Sequence, residues 1–257
     1  LEIKEESGRG NMAIPAGDEY ICLTMTPRTP YSEITEQRPR RPGRSRPGPE
    51  SAVVLTFDGL KRSLLYSEEL GIKLGTRQDG ELFKWFLASM LYGARISEKV
   101  SKHTYEAFAA HNLLAPEEIL HAGWDFLIDP IMRTGGYVRY DGKTSTKILK
   151  NCETLIARYR GRLSRLHEEA EDAEDLEKKI TDFYGIGPVT VNIFLRELRP
   201  YWKKDKVGIL PAITKLALAH GLDITGLNRS TLSFVRIEAG LIRLRKELSP
   251  GKEDYSP

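Results

Sequence analysis

The chain has 257 residues, 40% of them hydrophobic, with a formal net charge of +3; that is enough apolar material for a substantial core in one or two domains, and too mild a positive balance to be a nucleic-acid signature by itself. Its only cysteines, Cys22 and Cys152, exclude a cysteine-ligated iron–sulfur cluster, which needs four thiolates, and a Cys-rich zinc site, and they point to a reducing compartment. No run approaches the roughly eighteen consecutive apolar residues of a membrane helix, and no charged-then-apolar secretory pattern opens the chain, so a cytoplasmic protein without membrane contact is expected. Leu1 is not a start methionine, and residues 1–11 are read as an upstream extension or a segment foreign to the native chain.

Residues 1–50 show little helical periodicity and end in the run Arg38-Pro39-Arg40-Arg41-Pro42-Gly43-Arg44-Ser45-Arg46-Pro47-Gly48-Pro49. Such a composition buries too little apolar surface to offset its ordering entropy, so a flexible basic arm is expected there. Val53-Val54-Leu55 predicts a short isolated strand or an extended lead-in. From Leu60 onward the apolar spacing predicts helices over 80–92, 97–110, 116–122, 128–133, 143–160, 176–183, 188–198, 210–220 and 232–248, and hence an all-α domain spanning 51–257. The acidic stretch from Glu168 to Glu177 reads as a solvated helix face or loop. The five histidines show no ligand spacing, and there is no internal repeat.

One stretch stands apart: Thr181-Asp182-Phe183-Tyr184-Gly185-Ile186-Gly187-Pro188-Val189-Thr190 places a Gly-x-Gly turn between two helical runs. A turn of this shape leaves the amides of the second helix's N-terminus unpaired and facing outward, where the helix dipole favours an anion. The glycines remove Cβ atoms that would hold a phosphate away, and Pro188 suits the first helical position because its missing N–H has no partner there. A dinucleotide fold fits poorly, since no strand precedes the glycines and no further glycine follows at the required spacing. A phosphate loop is excluded by the lack of Gly-Lys-Ser/Thr. A sequence-tolerant backbone clamp remains, and the abundant ligand for such a clamp is nucleic acid.

With this turn, two other segments resemble the helix-hairpin-helix DNA glycosylase superfamily, the all-helical base-excision fold of endonuclease III and its relatives. The run from Leu82 to Arg95 is similar to the family's early helix, which ends in a small-residue turn facing DNA. Gly136-Tyr137-Val138-Arg139-Tyr140, followed by Lys143, Lys147 and Ile148, resembles the family's approach to a later helix. The three lie in the family's order and span about half the chain. Two departures qualify the likeness. The family's lyase branch carries a lysine nucleophile where this chain has Val189, whose side chain cannot attack a sugar. The family's catalytic aspartate has its nearest counterpart in Asp205, two residues early, among Lys203, Lys204 and Lys206 and read as part of an exposed charged loop.

The resemblance implies a two-lobed helical fold and a set of roles. Gly185, Ile186, Gly187, Val189 and Thr190 would bind DNA through the turn, with the amides of Gly185, Gly187, Val189 and Thr190 facing a phosphate. Carbonyls of Thr181, Phe183 and Ile186 would hold a monovalent cation, Na or K, with no other cofactor and no iron–sulfur cluster. Arg95 would fill the gap left by a flipped nucleotide, Lys203 and Lys204 would meet DNA, and Asp205 would be the catalytic group. Tyr137, Tyr140 and Trp202 would line a base pocket, but aromatic residues in such positions are more often core, and they are read as core. The implied activity is monofunctional glycosylase hydrolysis of a damaged or mispaired base by a monomer on double-stranded DNA, without lyase activity; the alternative is a non-catalytic DNA or lesion binder.

Overall fold

The computed structural model describes residues 55–248; the basic arm, Val53-Val54 and residues 249–257 lie outside the described part. Among the described residues the fold is all-α, and Leu55 and Thr56 are not strand. In chain order the helices are α1 (Phe57–Leu60), α2 (Tyr66–Glu69), a 3-10 turn (Leu74–Thr76), α3 (Asp79–Tyr92), α4 (Glu98–Ala110) and α5 (Pro116–Phe126). A wider π-type segment (Leu127–Met132) follows, then α6 (Arg133–Gly135), α7 (Asp141–Tyr159), α8 (Leu163–Glu169), α9 (Ala173–Thr181), α10 (Pro188–Arg196), α11 (Pro211–Ala219) and α12 (Leu232–Leu248). None of them is long and apolar enough to cross a membrane.

The centre of this arrangement is α3. Leu82, Phe83, Trp85, Phe86, Leu87, Ala88, Ser89, Met90 and Leu91 are all buried, so from Trp85 to Leu91 the helix has no solvent stripe and is enclosed by neighbours on every side. Its neighbours include α4, α7, α8 and α10. The Trp85 indole donates to the Phe194 carbonyl at 3.0 Å, which satisfies the one polar group of a large buried ring. Phe86 meets Phe183 and Phe194 edge-on, each at 5.2 Å between centroids. A Cβ on Gly93 would overlap the Thr190 hydroxyl; this glycine lets the end of α3 touch the start of α10.

Local chemistry accounts for where several helices begin. The spacing of Leu176 and Ile180 predicts a start near Leu176, but α9 begins at Ala173 because the Asp172 carboxylate accepts the Asp175 amide at 2.9 Å. Acids in its first turn and Lys178 and Lys179 in its last both complement the helix dipole. Thus part of the acidic stretch is an N-cap and a first turn. The short helix α8 buries only Leu163 and Leu166, too few apolar positions to show periodicity. α5 runs past its predicted end to Phe126, with Gly123 at φ 76 inside it. The two-residue α10 shortening at its C-terminal end comes with Glu197, whose carboxylate turns inward to accept the amides of Tyr66 at 2.9 Å and Ser67 at 3.0 Å and so caps α2.

Candidate functional site

Between α9 and α10 the chain reverses in a tight turn, and its side chains divide sharply between inside and outside. Phe183 is buried against Tyr159, with ring centroids 6.1 Å apart, and against Phe86; Ile186 is also buried. Tyr184, between them in the turn, is 52% exposed. Gly185 has φ 66, a left-handed conformation in which a side chain is strained, and a Cβ there would press on Lys147 Cδ at 3.3 Å. Gly187 is the N-cap of α10 with φ −108 and ψ 178. A Cβ there would meet nothing within 4 Å.

The main-chain donors follow the same division. The Ile186 amide donates to the Phe183 carbonyl at 3.2 Å, and the first intrahelical bond of α10 runs from Val191 to the Gly187 carbonyl at 3.1 Å. Among the described residues the amides of Gly185, Gly187, Val189 and Thr190 donate to no carbonyl or side chain. These donors sit at a helix N-terminus, where the macrodipole is positive, a setting that suits an oxyanion; Gly185 is exposed and Gly187 and Val189 are half-buried, whereas Thr190 is 3% exposed, with its side chain against Gly93. Ile186 leaves this donor set, because its amide is engaged and its side chain faces the core. The Thr181 and Ile186 carbonyls accept no hydrogen bond among the described residues, and the Phe183 carbonyl accepts only that of Ile186; these oxygens fit the hard ligand set that an alkali cation prefers.

Helix α7 holds the turn from behind. Asn151, 1% exposed, donates to the Tyr184 carbonyl at 3.2 Å. Lys147 lies along Gly185 and its ammonium donates to the Met90 carbonyl at 2.9 Å, near the end of α3. Burial brings its pKa down to about 8, since removing water disfavours the charged form. The Lys150 ammonium sits 4.1 Å from the Tyr184 ring centre. The sequence reading passed over Tyr184, Lys150 and Asn151. The signal for the last two was their place with Lys143 and Lys147 at i+3 and i+4 steps along one face.

The residues after α10 are placed otherwise than expected. Asp205 does not lie in an exposed charged loop: it is 2% exposed, and one carboxyl oxygen accepts the Val207 amide at 3.1 Å while the other has no partner among the described residues. Burial pushes its pKa up to about 7; the Val207 amide and Arg199 oppose the shift, whereas Glu177 and Glu238 add to it. Those groups lie outside the glycine turn. Lys204 is likewise corrected: its ammonium donates to the carbonyls of His167 at 3.1 Å, Glu168 at 2.9 Å and Ala170, closing the C-terminal end of α8 rather than facing a ligand. Lys203 is exposed, and so is Arg95, on the turn that follows α3.

Of the three aromatic residues expected in the core, Tyr137 and Trp202 are there. Trp202 stacks on His167 at 4.7 Å and meets Phe194 edge-on. Tyr140 differs: it is 38% exposed, with the Arg139 guanidinium 4.8 Å from its ring centre. Among the described residues no group of three or more His, Cys, Asp or Glu side chains is arranged to hold a metal, and Cys152 is buried and unpaired.

Comparison with known proteins adds little to these observations. No family model matches the chain, and no curated protein does. Among solved structures, the chain is similar to the H. pylori 3-methyladenine DNA glycosylase (MagIII) bound to 1,N6-ethenoadenine, over 75% of this chain and 97% of that one, with 10% sequence identity and a TM-score of 0.43. At that distance the functional reading must come from this chain's own residues.

Proposed function

We propose that this protein binds DNA by clasping a backbone phosphate with the amides of Gly185, Gly187, Val189 and Thr190. The single observation carrying this reading is that these four donors have no hydrogen-bond partner among the described residues, on a turn where Tyr184 and Gly185 are exposed. A phosphate receives several charge-assisted hydrogen bonds there at once, and main-chain donors carry no base preference, so recognition is of backbone geometry. An alkali cation, Na or K, held by the carbonyls of Thr181, Phe183 and Ile186 would add positive charge to the same clasp. Arg95 and Lys203, both exposed, would extend the contact, and the protein would act as a monomer on double-stranded DNA.

The substitution Gly187→Asp tests the clasp because its effects on fold and ligand have opposite signs. An aspartate at this N-cap accepts the Val189 or Thr190 amide and lies at the positive end of the dipole, so stability should rise by about 0.5–1 kcal/mol. The same carboxylate occupies the donors and repels phosphate, so affinity for a short duplex should fall at least tenfold. A more stable variant with unchanged duplex affinity removes the turn from the interface.

A second reading is hydrolysis of an N-glycosidic bond in a base-excision reaction, and one observation favours it: the Asp205 carboxyl titrates near neutrality and has one oxygen without a partner. Val189 offers no nucleophile, so such a reaction would release a base without cutting the strand. Base release from lesion-bearing duplexes, compared between the parent and Asp205→Asn, tests this reading. Release that is equal in the two excludes Asp205, and absence of release with duplex binding retained leaves a non-catalytic binder.

A further inference from the structure

Taking the phosphate clasp as its premise, we infer that Tyr184 is a stacking platform for an unpaired nucleobase, so that the ligand is DNA carrying at least one unpaired nucleotide beside the clasped phosphate. Tyr184 immediately precedes the first of the outward amides, one peptide unit or about 3.8 Å along the chain from Gly185. Tyr184 is 52% exposed, although Phe183 next to it is 2% exposed. Its backbone is pinned by the hydrogen bond from Asn151, so the ring stands on a fixed base and loses little further freedom when something stacks on it. The Lys150 ammonium covers one face of the ring at 4.1 Å, so a base stacks on the opposite face or displaces the ammonium, with the positive charge kept next to the stack.

The surroundings prolong this pairing of ring and charge. Lys143, Lys147 and Lys150 follow one another at i+4 and i+3 steps along α7, and Lys143 and Lys150 are exposed. Lys147 is turned back to the Met90 carbonyl, so Lys143 and Lys150 are the two positioned to meet phosphates leading away from the clasp. A basic track interleaved with an aromatic ring suits a single strand, because every base has a face that stacks whatever its identity. Paired bases inside a duplex keep both faces stacked on their neighbours and have none to offer a ring outside the helix. Tyr184 therefore discriminates in favour of unpaired nucleotides, while the clasp alone is indifferent to them.

The test compares two probes, a blunt duplex and the same duplex with a short single-stranded extension whose first unpaired position is 2-aminopurine. The parent protein should bind the extended probe about five- to 150-fold more tightly, the range expected for stacking one base, and quench its fluorescence. Tyr184→Leu should abolish both the preference and the quenching while leaving blunt-duplex affinity unchanged; Tyr184→Trp should keep both. Thermal melting of each variant verifies that the fold persists. Equal binding of the two probes by the parent without quenching overturns the stacking role and leaves the clasp intact. A preference that survives in Tyr184→Leu also overturns it, whereas failure of the parent to bind either probe overturns the clasp itself.

Discussion

The glycine turn and the segment that follows α10 are neighbours in sequence and opposites in construction. The turn contains one carboxylate, Asp182, and four amides that have no hydrogen-bond partner among the described residues. The following segment, from Glu197 to Lys206, is dense in charge, and much of that charge is turned inward: Glu197 caps α2, Lys204 closes α8, Arg199 pairs with Glu238, and Asp205 is buried beside them. Charge density alone is therefore a poor guide to which charges face solvent. The better guide to a binding surface is which polar groups are left without partners at the surface.

Mutation can sharpen this contrast, beginning with its inward-facing half. Arg199 and Glu238 have side-chain exposures of 1% and 0%. Arg199→Met should cost about 3–5 kcal/mol, because it strands a buried carboxylate, and much of the loss should return when Glu238→Leu is added. Chemical denaturation measures both. DNA affinity of the single variant, measured well below its melting temperature, should equal that of the parent; a selective loss of binding would join the two regions that the contrast separates.

Asp205 makes the same point through pH. Its folded pKa of about 7 lies above the ~3.9 of an unfolded aspartate, so between these values the native state retains a proton that the unfolded state has released. Its contribution therefore erodes as pH rises from about 4 to about 7 and stays low above that. Asp205→Asn has no such titration. Its stability relative to the parent should grow across this window, to at most about 4 kcal/mol, as thermal melts at several pH values would show. A difference that does not change with pH would mean that the carboxyl is hydrated.

Smaller effects separate the lysines. Lys204→Met should destabilise by about 1 kcal/mol through loss of its bonds to the end of α8 and leave the salt dependence of DNA binding unchanged. Lys143→Gln should do the reverse: stability within about 0.5 kcal/mol of the parent, and a slope of log affinity against log salt reduced by about one. If Lys204 proved the salt-sensitive residue, the division of the two segments into inward and outward charge would fail.

The all-α class was legible because helical periodicity persists wherever a helix has one wet face, as in α7 and α9. The Gly-x-Gly turn was legible for a different reason: Gly185 needs positive φ, and Gly187 and Pro188 suit an N-cap and first position, all requirements of the local backbone. What escaped was set by partners distant in sequence. Lys204 meets carbonyls more than thirty residues away, and Arg199 meets Glu238 from 39 residues away; no spacing rule reads such pairs. Tyr184 escaped because an exposed ring and a buried one look alike in sequence, and only the fold sends Phe183 inward and its neighbour outward.

The contact between Gly93 and Thr190 has a mechanical consequence. Through it, and through the Lys147 bond to Met90, the end of the enclosed helix α3 bears directly on the glycine turn and leads without slack into the turn that carries Arg95. These two surface points are set at a gauge fixed by core packing, which resists compression. A polymer spanning both must adapt its own curvature to that gauge, so selectivity would arise from how easily the polymer bends.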